Sequence, residues 1–315
     1  LARSQKTTRD THFREVEDAA LGVLQELVAH PLIHPHEPEV VAALRTRIGK
    51  GLEPRHVTAS LATTQSKKAL VAKPPRLRLP RVLSEVSLEG LDGAAGKSGQ
   101  HHPLRFDLGV LHEDATPVLQ RHGAGVIDVK LRLDPAHLAS VLEVKSAAGL
   151  YTDLVAGHRV PRWGPRDLLK LLHAASTLDR GFAGMVFVDR VLRYGELTKL
   201  PASKASADPR FAAPSATETK FVLGSRSGPE APWPLTHRNF TWELPEGLDP
   251  TGDHDPVTLQ FKAVSKGEPL RQGSVAFWAL AVTSEPVLLT SDAAVDVEPH
   301  RWNVSCSPAK SLRNR

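Results

Sequence analysis

The sequence predicts an α/β protein: a mixed sheet flanked by helices, followed by a β-rich C-terminal region. Three observations predict it. Helical periodicity fills the N-terminal part, strand-like and helix-like segments alternate from about residue 82 to 188, and only strand-like segments with turn signals follow residue 236. The implied organisation is a helical N-terminal region at 1–80, an α/β core at 81–200, a linker or long loop at 201–235 and a β-rich appendage at 236–315.

From Thr11 to His30, Phe13, Val16, Ala20, Val23, Leu24, Leu27 and Val28 recur at helical spacing. Glu15, Glu17, Asp18 and Glu26 lie off or beside that stripe. A second helix is expected from Glu37 to Ile48. Residues 51–80 read as a connector with a basic, Pro-containing tail from Lys73 to Pro80. Val82–Leu88 alternates as the first core strand, with Glu85 an extra-ligand candidate. Arg105–Leu111 is a further strand with an acid, Asp107, near its start. Between them, Gly93–Ser98 ends like a phosphate-binding loop. Leu91 stands where that loop needs glycine and no helix follows, so a flexible loop is expected.

The segments Val126–Leu133 and Ala139–Ala147 are rich in Val, Ile and Leu, and Asp134-Pro135-Ala136-His137 between them has turn chemistry. A hairpin turning there sets Asp128 opposite Val144, within one residue. Glu143 and Lys145 share a face because strand side chains repeat every two residues. Asp128 joins them if the register is right, since a slip of one residue turns it away. Pro165–Ala175 then reads as a helix with proline in its first turn and an apolar face of Leu168, Leu169, Leu171 and Leu172. Phe182–Val188 is a continuous apolar run, as in a strand buried on both faces.

Two carboxylates and an ammonium suit phosphodiester hydrolysis. Carboxylates are hard oxygen ligands for Mg²⁺, which also binds substrate phosphate oxygens. Such a metal lowers the pKa of bound water. A lysine orients that water or stabilises charge in the transition state. An isolated E-x-K, however, arises from strand alternation alone. A second frame is open: Asp107 as the first acid and Asp128-Val129-Lys130 as the acid-x-lysine. The later frame fits better, because a helix and strand follow Lys145 directly whereas a further strand follows Lys130. The loop between Leu111 and Val126 is also long for a hairpin.

The order hairpin, helix, strand, with Asp128 on the first hairpin strand and Glu143-Val144-Lys145 on the second, resembles the PD-(D/E)xK nuclease superfamily over about residues 80–190. Ile127 stands where that family often has proline. The resemblance implies a restriction-endonuclease-like core, with Asp128, Glu143 and Lys145 catalytic. Asp128 and Glu143 would hold Mg²⁺, with Mn²⁺ a substitute; Asp107 is a candidate auxiliary metal acid or simply a strand-start residue. It implies a nucleic-acid substrate, DNA before RNA, and a homodimer is compatible with it. In that family a helix before the core can carry a further acid, for which Glu15 and Glu26 are candidates.

Composition narrows the alternatives. The chain has 315 residues, a net charge of +5 and one cysteine, Cys306. A single cysteine excludes an internal disulfide and a cysteine-cluster metal site, which leads to the expectation of a cytoplasmic protein. No apolar run approaches membrane-spanning length. Basic residues gather at Arg45, Arg47 and Lys50, at Lys67 and Lys68, at Lys73, Arg76, Arg78 and Arg81, and at Arg159, Arg162 and Arg166. The last group can contact phosphates, and Trp163 within it can stack on a base. In the C-terminal region, strands are expected at Thr236–Leu244, Val257–Val264, Ser274–Val282 and Pro286–Leu289, with Trp233, Trp242, Trp278 and Trp302 as core. Two rival readings remain: a nucleic-acid-binding protein of nuclease-like fold that does not cut, and an interaction protein with an incidental E-x-K.

Overall fold

Apolar residues at helical spacing bury one face of the N-terminal helix, and runs of Val, Leu and Phe build the sheet beneath it. The computed structural model describes residues 2–29, 37–62, 76–95, 101–120, 132–147, 165–189, 221–223, 239–244, 257–280, 287–289 and 299–308. Three helices are described: α1 (Ala2–Ala29), α2 (Glu37–Gly51) and α3 (Pro165–Thr177). The strands are β1 (His56–Ala62), β2 (Arg76–Pro80), β3 (Val82–Ala95), β4 (His101–Leu111), β5 (Val118–Gln120), β6 (Arg132–Leu133), β7 (Leu138–Ala147), β8 (Phe182–Asp189), β9 (Phe221–Leu223), β10 (Asn239–Leu244), β11 (Val257–Val264), β12 (Val275–Leu280), β13 (Val287–Leu289) and β14 (Pro299–Pro308).

Nine strands form one mixed sheet in the order β10-β11-β14-β12-β8-β7-β4-β3-β6. β7, β8 and β12 are parallel at its centre, with Val144 level with Val186 and Val186 level with Trp278. β4 runs antiparallel to β7, and β3 antiparallel to β4. β10, β11, β12 and β14 of the C-terminal region therefore continue the sheet, because β12 joins β8, while β13 pairs with β9 in a separate two-stranded sheet. The reason is legible in β12 itself: Val275 to Ala279 are all buried, and a strand apolar on both faces needs neighbours and cover on both sides. Trp278 and Trp302 are core residues, as expected.

α1 and α2 cover one face, where Val16, Val23, Leu24 and Leu44 pack with Leu108, Leu142, Val144, Val186 and Trp278. α3 covers the other, where Leu168, Leu171 and Ala174 pack with Phe106, Val141, Met185, Phe187 and Phe277. The Trp278 ring lies 2.4 Å from where a Cβ on Gly184 would stand, so only glycine fits beneath it. A large core side chain such as Trp278, truncated to alanine, costs about 3–5 kcal/mol. A small sheet, β2-β1-β5, lies in the stretch read as connector and loop. No helix among the described residues is long and apolar enough to cross a membrane.

Of the first strand of the expected hairpin, Val126–Leu133, only Arg132 and Leu133 are among the described residues; Val126–Leu131 lie outside them. Arg132 and Leu133 pair with Ser87 and Leu88 of β3, and the antiparallel partner of β7 is β4. Tight turn chemistry at Asp134–His137 is real: Asp134 caps a 3₁₀ turn through Ala136 N–H at 2.9 Å. The turn leads the chain across the sheet instead of back along it.

Candidate active site

The first acid of the site is placed by a paired irregularity in β3 and β4. Leu83 and Val86 pack into the same core cluster although three residues apart, so alternation slips by one between them. Glu85, at the slip, has φ of 53° and an exposed side chain. Its neighbours Ser84 and Val86 pair with Leu108 and Phe106, which leaves Glu85 level with Asp107. β4 slips in step, since Phe106 and Leu108 enter opposite clusters. The slip turns Asp107 toward β7, where its Oδ2 accepts the Val144 N–H at 2.8 Å. The β4–β7 pairing reaches Leu108 with Leu142, so Asp107 is level with Glu143.

Glu143 and Lys145 stand two apart on β7 and meet α3. Glu143 is 2% exposed and both its carboxylate oxygens face ammonium groups: Oε1 receives Lys170 Nζ, and Oε2 lies 3.6 Å from Lys145 Nζ. Lys145 also reaches Asp167 Oδ2 at 3.6 Å and Glu37 Oε1 at 3.4 Å. Lys170 donates to the Arg105 carbonyl at 2.7 Å and sits 5.1 Å from the Phe106 ring centroid. Asp167 lies in the first turn of α3 and Glu37 in the first turn of α2, where a carboxylate favours the positive end of the helix dipole. Both helices begin beside the C-terminal half of β7. A strand's carboxyl end is where an α/β sheet leaves room for a ligand.

Four carboxylates and two ammonium groups thus share one locality. Burial first, then the charges of Asp107 and Asp167, push Glu143 up to about 8 against the pull of Lys170 and Lys145. Burial acts to lower Lys145, but Asp167, Glu143, Asp107 and Glu37 outweigh it and hold the lysine above its ordinary value. Lys145 is therefore a fixed positive charge at neutral pH, not a proton acceptor.

Of the residues singled out in the sequence, Asp107, Glu143 and Lys145 are brought together. Asp128 and Lys130 lie outside the described residues, as do Arg159, Arg162 and Trp163. The assembled group takes its acid from one frame and its acid-x-lysine from the other. Sequence reasoning missed Lys170, Asp167 and Glu37. Asp167 and Lys170 had a signal, an acid and a base three apart at the start of the helix that follows the E-x-K. Glu37 opens its helix and carries a weaker one. The helix-borne acid that reaches the cluster is Glu37, whereas Glu26 pairs with Arg47 and Glu15 lies 3.9 Å from His12.

The donor set suits a hard divalent cation. Among the described residues, no three His, Cys, Asp or Glu side chains converge as a preformed ligand set. Mg²⁺ does not need one, since one or two carboxylates plus waters and substrate phosphate suffice. Asp107 and Glu143, level on adjacent strands, fit that requirement; a cation between them would offset the burial and the acidic neighbours that raise Glu143. Comparison with protein-family models, with curated proteins and with solved structures finds no match to this chain.

Proposed function

We propose that this protein is a metal-dependent nuclease that hydrolyses phosphodiester bonds, with DNA its substrate and a PD-(D/E)xK-like arrangement its site. One observation carries the reading: Asp107 on β4 lies level with Glu143 on β7, with Lys145 on the same face two residues on. That supports a restriction-endonuclease-like order of two antiparallel strands, a helix and a parallel strand, here β4, β7, α3 and β8. Asp107 and Glu143 would hold Mg²⁺ or Mn²⁺, which supplies an activated water and neutralises phosphate charge. Lys145 stays protonated and donates to the charge that grows on the phosphate oxygens. Lys170 holds the Glu143 carboxylate in place and is itself held by the Arg105 carbonyl. Asp128 keeps its candidacy as a further acid.

The test is cleavage of supercoiled plasmid and of single-stranded DNA with Mg²⁺ or Mn²⁺. Cutting that needs the metal, and that is abolished in Asp107→Ala, Glu143→Gln and Lys145→Ala, is the expected result. Loss in Asp128→Ala alone would return the site to the hairpin that the sequence suggested. Tight DNA binding without any cutting would favour a nucleic-acid-binding protein that retains the fold alone.

A further inference from the structure

A second basic feature begins beside this cluster and is not used by it. A cavity of about 460 Å³ lies between α2, β3 and the small sheet. Arg45 and Lys50 of α2, Arg55 before β1 and His56 within it line the cavity, and none of its lining residues is an aspartate or glutamate. All four basic side chains are on exposed residues. Arg55 touches Glu53 at 3.2 Å, but that pair is more than half exposed on both sides and is worth little in water.

The cavity's walls connect it to the site. Pro38, on its lining, follows Glu37, which reaches Lys145. Ser84, also on its lining, pairs with Leu108, the neighbour of Asp107. From Glu37 to Lys50, α2 runs about 20 Å at 1.5 Å per residue. The small sheet borders the same cavity and carries further basic groups. His56 pairs with Pro80, Thr58 with Arg78 and Ser60 with Arg76. Directly paired residues share a face, so Arg78 and Arg76 continue the face that His56 presents to the cavity. Both arginines are exposed. Their spacing along the strand, about 6.6 Å, is close to twice the 3.4 Å axial step of phosphates on one DNA strand.

We propose that Arg45, Lys50, Arg55, Arg78 and Arg76 form a track for the phosphate backbone of the DNA that flanks the scissile bond. The inference rests on the nuclease reading for the identity of the ligand and deepens it by naming where the substrate lies. A track of this kind positions the duplex without reading sequence. It also makes affinity steeply dependent on salt, because each phosphate neutralised releases counterions.

The experiment is fluorescence anisotropy of a fluorescein-labelled 24-base-pair DNA duplex with the full chain, in chelator and without divalent ions, from 50 to 300 mM salt. The double variant Arg45→Glu/Lys50→Glu and the independent double variant Arg76→Glu/Arg78→Glu are compared with Lys262→Glu, an exposed lysine on β11 far across the sheet. Each double variant is expected to weaken binding by at least tenfold and to flatten the logarithmic salt slope by about 1–2, roughly one unit for each phosphate that is no longer neutralised. Lys262→Glu is expected to match the parent protein. Unchanged affinity and slope in both double variants would overturn the track. So would an equal loss in Lys262→Glu, which would mean that only net charge matters, and so would absence of any duplex binding. Cleavage is read separately: a parent that binds through the track but never cuts leaves the track standing and removes the nuclease. A parent that cuts with binding indifferent to both double variants does the reverse.

Discussion

Two glutamates, Glu17 and Glu143, are almost fully buried against cations, and they are built in opposite ways. Glu17 of α1 meets Arg301 of β14 at 2.9 Å, each side chain about 1% exposed. Its other oxygen accepts the Gly267 N–H at 2.8 Å. Arg301 in turn donates to the Glu268 and Ser265 carbonyls and lies over the Phe13 ring. One acid faces one base, and the chain supplies partners for Glu17 Oε2 and Arg301 Nη2. Glu143 instead sits among Asp107, Asp167 and Glu37, with two lysines to answer four carboxylates. A buried pair of one acid and one base is a fastening between α1 and the sheet. A cluster with surplus negative charge has a reason to accept a cation, and that difference is what the proposed function rests on.

The sharpest way to break that contrast is to remove one residue from each. Lys145→Ala is expected to lower the rate of DNA cleavage by about 10²–10³, the typical loss when one preorganised donor to transition-state charge is removed. Its thermal unfolding should change less than in Glu17→Ala, since Lys170 still faces Glu143. Glu17→Ala should do the converse. Removing one member of a buried pair strands the other, at a cost of about 3–5 kcal/mol. Urea denaturation would show it, while cleavage by the remaining folded protein persists. The joint replacement Glu17→Leu/Arg301→Met should recover most of that loss, because no charge is left buried. If Glu17→Ala abolished cleavage at full stability, the division of roles would be wrong.

A pH series sharpens the contrast further. Glu143 goes from an ordinary value of 4.5 to about 8 in the folded chain, first through burial and then through its acidic neighbours. Between those values the folded protein holds a proton that the unfolded chain has released. The stability this confers is complete below pH 4.5 and is lost as pH rises through 8. Relative to Glu143→Gln, the parent in chelator should therefore lose on the order of 1–3 kcal/mol between pH 5 and 8.5, read from urea midpoints. His12 works in the opposite sense, since burial first, then Arg81 and His112, push it down to about 3. It is common to both proteins and drops out of the difference. With Glu143 a metal ligand as proposed, proton and metal compete for it, and Mg²⁺ affinity should rise by roughly tenfold per pH unit up to about pH 8. A flat difference between the two proteins would mean that Glu143 is ionised throughout, as a balanced pair would be.

How much of this was legible in the chain depends on whether the signal was local. Glu143-Val144-Lys145, the helix after it and the buried run at Phe182 are each set by periodicity within a few residues, and they stand where the pattern puts them. The helical stripe from Phe13 to Leu27 and the core placement of Trp278 and Trp302 were readable for the same reason. The partner strand was not. Asp134-Pro135-Ala136-His137 does make a turn, yet a turn does not specify which strand the chain pairs with next, and the pairing of β7 with β4, more than 20 residues back, leaves no mark near the turn. Asp107 was visible as an acid on a strand. Its rotation toward Val144 depends on the coupled slip at Glu85, which no periodic pattern reveals. The joining of β12 to β8 likewise spans a long stretch of sequence, and strand pairing at that separation leaves no local mark.

The smallest expected effect concerns a third ion pair, and it tests whether the fastening is as self-contained as its geometry suggests. Lys266 lies 2.8 Å from Asp18, with side chains 66% and 60% exposed. An exposed pair of this kind is worth about 0–1 kcal/mol, and Lys266→Ala should shift the urea midpoint by the equivalent of less than about 0.5 kcal/mol. The position matters more than the pair. Lys266 belongs to the turn whose Gly267 N–H binds Glu17 and whose Ser265 and Glu268 carbonyls receive Arg301. Gly267→Ala has open space for its methyl group, but φ of 80° disfavours it, so a loss of about 1 kcal/mol is expected there from backbone strain alone. Should Lys266→Ala cost more than Gly267→Ala, the surface pair would be what holds the turn against α1. The buried glutamate would then depend on a solvent-exposed neighbour, much as Glu143 depends on the groups around it, and the contrast between the two sites would narrow to one of net charge.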